Sequence, residues 1–142
     1  MIKFRKIFID QTGWYALLDK NSPKHLPLTN HFALSLKKNT RIFTSNVAIG
    51  EAYSIIKEKL GADLANQFNE IIENANLGNH LRILWIGRRT QREAMRLMRK
   101  YGESNLSLFD FAHSVFMEKR NIQKILTTKT EFTELGYEVP TE

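Results

Sequence analysis

The sequence predicts an α/β protein in which helices flank a central, mainly parallel sheet, and three observations carry that prediction. Short apolar runs rich in β-branched and aromatic residues alternate with segments of helical length along the chain. The first run, Ile7-Phe8-Ile9, is unbroken by polar residues, the pattern of a strand buried on both faces. It ends in an acid, Asp10, and passes at once through Gln11-Thr12-Gly13 toward a helix. In open α/β sheets, ligands and catalytic groups collect in the crevice beyond the carboxyl ends of the strands, so Asp10 stands where chemistry is expected.

Trp14 to Asp19 follows as one or two helical turns, broken by Asn21-Ser22-Pro23. His25 to Lys38 reads as helix, at least from Thr29 onward, with Pro27 leaving its first turn open. Arg41 to Thr44 is a second strand. Ser45 or Asn46 can cap a helix from Val47 to about Lys59 that Gly61 ends, and Asp63 opens another from Leu64 to about Asn76. Leu81 to Ile86 is a third strand, Thr90 to Tyr101 a helix stopped by Gly102, and Ser107 starts a helix that reaches Lys119 or Arg120. A fourth strand lies within Ile122 to Thr127, a short helix at Thr130 to Leu135, and an edge strand is possible at Tyr137 to Val139. No repeat, low-complexity tract or linker divides the chain, so one domain over residues 1–142 is expected.

There is no cysteine, which excludes disulfide frameworks and thiolate metal sites and agrees with a reducing cytoplasm. No stretch has the length of a membrane span, so no membrane partner is expected. A formal net charge of +6 and a pI of about 9.7 favour a polyanionic partner through counterion release.

Two more acids fall where apolar residues are expected. On a helix, Glu51 shares a face with Val47, Ala48 and Ile55, so it sits at the rim of the core or is held there for a purpose. Asp110 lies between Phe109 and Phe111, and Ser107 with Asp110 fits a capping box, which fixes and so aims the carboxylate. A parallel sheet can bring Asp10, Glu51 and Asp110 to one edge. Two carboxylates about 4 Å apart repel by roughly 4 kcal/mol at an effective dielectric near 20, so such a cluster calls for a cation. Oxygen-only ligands select Mg²⁺ or Mn²⁺, and on a basic protein that suggests phosphodiester hydrolysis.

These stretches together resemble the PIN domain, and within it the VapC-type toxins of toxin–antitoxin systems. The resemblance rests on Ile7 to Asp19, on Thr44-Ser45-Asn46 running into Glu51, on Leu106 to Ala112, and on Ile125-Leu126-Thr127 through Phe132 with Gly136-Tyr137-Glu138-Val139. It implies a three-layer fold, a metal-dependent endoribonuclease acting on RNA, a homodimer and a cognate antitoxin. It makes Asp10, Glu51 and Asp110 the catalytic metal ligands for Mg²⁺ or Mn²⁺. Thr12 falls where the family often carries a hydroxyl near the metal, and Ser107 with Lys129 would position the acids or the substrate.

One departure concerns the strand before the last helix. The family commonly has Thr-x-Asp-x-x-Phe there, whereas this chain has Thr127-Thr128-Lys129-Thr130-Glu131-Phe132, so Lys129 replaces the fourth acid. Its ammonium either stands in for a second metal and leaves a weakened nuclease, or neutralises the acids and leaves an inactive RNA- or protein-binding domain.

Arg88, Arg92, Arg96 and Arg99 recur at helical spacing as a candidate RNA track, with Met95, Met98 and Tyr101 expected on the other side of the helix. The four histidines show no ligand spacing; His113, one helical turn from Asp110, is close enough to support it, but a place at the surface or at a cap is expected. A dehalogenase-type phosphatase would need a second acid at position 12, and a phosphoacceptor receiver an acid after the third strand. Neither is present, nor is a glycine-rich nucleotide motif.

Overall fold

Strands that are apolar on both faces must be covered twice, and this chain does so with two groups of helices. In the computed structural model, which describes residues 5–141, the sheet consists of β1 (Lys6–Ile9), β2 (Arg41–Ser45), β3 (Leu81–Leu84) and β4 (Lys124–Leu126). All pairings are parallel, in the order β3-β2-β1-β4. One face packs Ile7, Ile9, Trp14, Ile42, Ile56 and Phe68; the other packs Phe8, Phe43, Phe111, Phe116, Ile125 and Phe132. Alternate residues of β1 thus feed two cores, and the result is a three-layer α/β fold.

The helices are α1 (Gln11–Leu18), α2 (His25–Lys37), α3 (Asn46–Leu60), α4 (Ala62–Leu77), α5 (Arg88–Lys100) and α6 (Leu108–Lys119), with a 3-10 helix at Thr130–Leu135. Helix α2 starts at His25, the first residue of the expected span, because Pro27 falls in its first turn, where a missing N–H has no helical partner to lose. The third strand stops two residues short of Ile86. There Trp85 turns out to solvent, and the Ile86 N–H donates to Asn46 Oδ1 at 2.6 Å instead of to a ladder. The possible edge strand at Tyr137 to Val139 reduces to a single parallel bridge between Lys124 and Glu138.

Chain order runs outward from β1 through β2 to β3, while β4 returns to the opposite side of β1. The crossover directions therefore diverge between β1 and β4, which opens a crevice at their carboxyl ends. Asp10 follows β1 and Thr127 follows β4, so both stand at that point. No helix among the described residues is long and apolar enough to cross a membrane.

Candidate active site at the carboxyl edge of the sheet

Helix α1 starts immediately after β1 and must lie against the end of β4. Gly13 makes that approach possible, since a Cβ there would collide with the Leu126 carbonyl oxygen. Asp10 is the N-cap of α1, and its Oδ1 accepts from the Gly13 N–H at 2.8 Å and from Thr12 Oγ1 at 2.7 Å. Its Oδ2 accepts from Thr127 Oγ1 at 2.7 Å.

Thr12 Oγ1 and Thr127 Oγ1 are themselves 2.9 Å apart, which closes a ring of three oxygen–oxygen contacts. Two hydroxyls supply two hydrogens, and the third contact is satisfied when Asp10 carries a proton. The carboxyl is fully buried, and burial raises it from an ordinary 3.8 to about 6. Hydrogen bonds from Thr127, Thr12 and Gly13 pull it down, and the charge of Asp110 adds to the rise.

Asp110 arrives from α6. Ser107 and Asp110 form the capping box read from the sequence: the Ser107 N–H donates to Asp110 Oδ2 at 2.9 Å, and the Asp110 N–H donates to Ser107 Oγ at 3.3 Å. The carboxylate is 1 % exposed, and Lys129 Nζ grips both of its oxygens, at 3.0 Å to Oδ1 and 2.7 Å to Oδ2. Lys129 in turn is anchored by its own N–H, which donates to Thr127 Oγ1 at 3.0 Å. Asp10, Thr127, Lys129 and Asp110 therefore form one connected polar chain.

Glu51 is on the second turn of α3 and exposed, not on the core stripe, which is Ala48, Ala52 and Ile56 at i, i+4 and i+8. It nonetheless lies near Asp110 and Lys129. Partial burial raises its carboxyl, Lys129 lowers it and Asp110 raises it, so all three charges share one neighbourhood.

His113, expected at the surface or at a cap, is fully buried one turn along α6 from Asp110. Its Nε2 lies 2.7 Å from Ser45 Oγ, the atom that also accepts from the Ala48 N–H at 2.9 Å and caps α3. The pair thereby ties the helix that carries Glu51 to the helix that carries Asp110. Burial holds the imidazole down to about 4, so it is neutral at pH 7.

Thr127 and His113 are the site residues that sequence reasoning missed. Thr127 had a signal, being polar directly after a buried strand just as Asp10 is. His113 had one too, since it sits inside the apolar run Phe109 to Met117.

Arg88, Arg92, Arg96 and Arg99 are exposed along α5. The expected apolar reverse side is not buried. Met95 and Met98 are 45 % and 41 % exposed, and Met95 lies on the arginine face, at i+7, i+3 and i−4 from Arg88, Arg92 and Arg99. The helix touches the core through Ala94 and Leu97 instead.

Oxygen-only donors of this kind suit a hard divalent ion. Among the described residues no three acidic or histidine side chains are grouped as a finished ligand set. The donor chemistry fits such an ion, and the positive charge beside Asp110 in this structure is the Lys129 ammonium.

The PIN domain family model matches residues 7–136. Among solved structures, the chain is similar to VapC20 from Mycobacterium tuberculosis, a sarcin–ricin loop cleaving toxin. The two are 21 % identical over 93 % of this chain and 96 % of that one, with a TM-score of 0.80. It is also similar to PAE2754 from Pyrobaculum aerophilum, at 15 % identity over 95 % of this chain and 89 % of that one, with a TM-score of 0.65. At these identities the likeness is one of fold. No curated protein matches the chain.

Proposed function

The chain belongs to the PIN domain family, and from that premise we propose that it is a Mg²⁺- or Mn²⁺-dependent endoribonuclease. We further propose that it is the toxin of a toxin–antitoxin pair, forming one domain over residues 1–142 that works in the cytoplasm as a homodimer restrained by a cognate antitoxin. What supports the reading is that Asp110, on a basic protein, lies near enough to act electrostatically on both Asp10 and Glu51, which come from two other elements.

In this mechanism Asp10, Glu51 and Asp110 would hold the ion. When bound, the ion supplies a water of lowered pKa and a counter-charge for the attacked phosphate. The chain's own residues prepare the rest. Thr12 and Thr127 fix the rotamer of Asp10, and the Ser107 N–H fixes that of Asp110. His113 and Ser45 tie the start of α3 to α6, which keeps Glu51 near Asp110. Lys129, once released from Asp110, offers its ammonium to a phosphate oxygen. Arg88, Arg92, Arg96 and Arg99 contact the RNA backbone farther out.

A second reading follows from the ion pair of Lys129 with Asp110: the ammonium stays in the ion's position, and the domain binds RNA or protein without cutting. Incubation of the purified chain with single-stranded and structured RNA, with Mn²⁺ or with EDTA, beside Asp10→Asn, separates the two. Manganese-dependent cleavage that Asp10→Asn abolishes supports the nuclease. Cleavage that survives Asp10→Asn, or none at any manganese concentration, overturns it.

A further inference from the structure

Trp85 is the most exposed aromatic ring among the described residues, at 74 %, although its neighbours Leu84 and Ile86 are 4 % and 8 % exposed. Its backbone is held in place, because Leu84 is the last paired residue of β3 and the Ile86 N–H donates to Asn46 Oδ1. A well-fixed main chain thus presents a large apolar ring to water, where it gives the fold little.

The ring stands at the carboxyl edge of the sheet, the edge that carries the acids. Leu84 pairs with Ser45, and β3 lies two strands from β1, about 10 Å along the sheet. A side chain on Gly87 would lie 3.9 Å from Trp85 Cδ1, so the glycine leaves that flank of the ring uncovered. Helix α5 leads away from this point with Arg88, Arg92 and Arg99 on its outer face, and no ion pair among the described residues engages these three.

We propose that Trp85 and the arginines of α5 form a subsite for single-stranded RNA, in which an unpaired base stacks on the indole and the flanking phosphates lie against Arg88 and Arg92. This deepens the nuclease reading by adding a base-stacking subsite at the end of β3, apart from the acids, and it rests on that reading for its link to cleavage. Charge complementarity favours this occupant, since the face is cationic and the ring accepts any base. A duplex keeps its bases stacked and cannot use the indole.

The test is binding in EDTA, where no metal-dependent cleavage occurs. The chain has two tryptophans, and Trp14 is buried, so quenching of exposed indole emission reports Trp85. A seven-nucleotide single-stranded RNA of mixed sequence, its duplex, and a polyglutamate peptide are titrated in turn. The single strand should quench saturably. Trp85→Ala should weaken its binding about tenfold without changing the salt dependence, Trp85→Phe should keep most of the affinity, and Arg88→Ala with Arg92→Ala should flatten the salt dependence.

Equal binding of the single strand by wild type and Trp85→Ala overturns the subsite, as does equal or tighter binding of the duplex or the peptide. Loss of stacking with manganese-dependent cleavage intact sinks this inference alone. Stacking without any cleavage sinks the nuclease reading alone.

Discussion

The ammonium of Lys129 sits within hydrogen-bonding distance of both carboxylate oxygens of Asp110, so a cation supplied by the chain occupies the most buried acid of α6. A bidentate contact of this kind uses the lone pairs that an incoming ion would need. Lys129 is 29 % exposed, so its side chain has a route out toward solvent. On the proposed function, an ion could reach Asp110 only as Lys129 lets go of it.

Lys129→Met should make the site easier to load. Unit charges about 4 Å apart interact by roughly 4 kcal/mol at an effective dielectric near 20, and a fraction of that, about 1.4 kcal/mol, is a tenfold change in affinity. The manganese concentration for half-maximal RNA cleavage should fall about tenfold in this variant. An unchanged requirement would mean that Lys129 does not compete with the ion.

Gly13→Ala should damage fold and site together, because the added methyl meets the Leu126 carbonyl and drives α1 away from β4. A stability loss of about 1–3 kcal/mol in urea unfolding is expected, along with separation of Thr12 from Thr127 and loss of cleavage. Wild-type stability in this variant would contradict the packing described.

Acid stability should reveal two opposing groups. His113 is held down to about 4 against an ordinary 6.5, so the unfolded chain takes up its proton first and stability falls as pH drops through that window. Asp10 is raised to about 6 from 3.8, so the folded chain is protonated first and stability falls as pH rises through nearly the same window. In chelator, wild type should show a nearly flat profile between pH 4 and 6. Asp10→Asn should be more stable than wild type at pH 7 and should lose stability on acidification, by up to about 1.4 kcal/mol per pH unit. His113→Gln should gain stability on acidification. A drop in neutral-pH stability on Asp10→Asn would mean that Lys129 already balances the Asp10 charge.

Glu51→Gln should separate function from fold. The side chain is exposed and outside the core stripe, so stability should change by less than about 0.5 kcal/mol. Cleavage should fall by roughly tenfold to a hundredfold. A cleavage rate equal to wild type would remove Glu51 from the site.

Much of this was legible in the sequence because the strands are apolar on both faces and end abruptly in polar residues, as Ile9-Asp10 does. The capping box of Ser107 and Asp110 was legible for the same local reason. Periodicity set Glu51 on the core stripe of α3, whereas tertiary packing makes Ala48, Ala52 and Ile56 the buried line. His113 and Thr127 act through partners 68 and 117 residues away, Ser45 and Asp10, and no local pattern encodes such pairings. The outer face of α5 was misread because the helix rests on the small Ala94, which leaves Met95 and Met98 at the surface.

The most direct measurement is calorimetric titration of Mn²⁺ into the chelator-stripped chain and into Asp10→Asn and Lys129→Met. Wild type should bind the ion saturably, Asp10→Asn should lose that binding, and Lys129→Met should bind more tightly. The absence of binding heat in both wild type and Lys129→Met would contradict the proposed metal-dependent function.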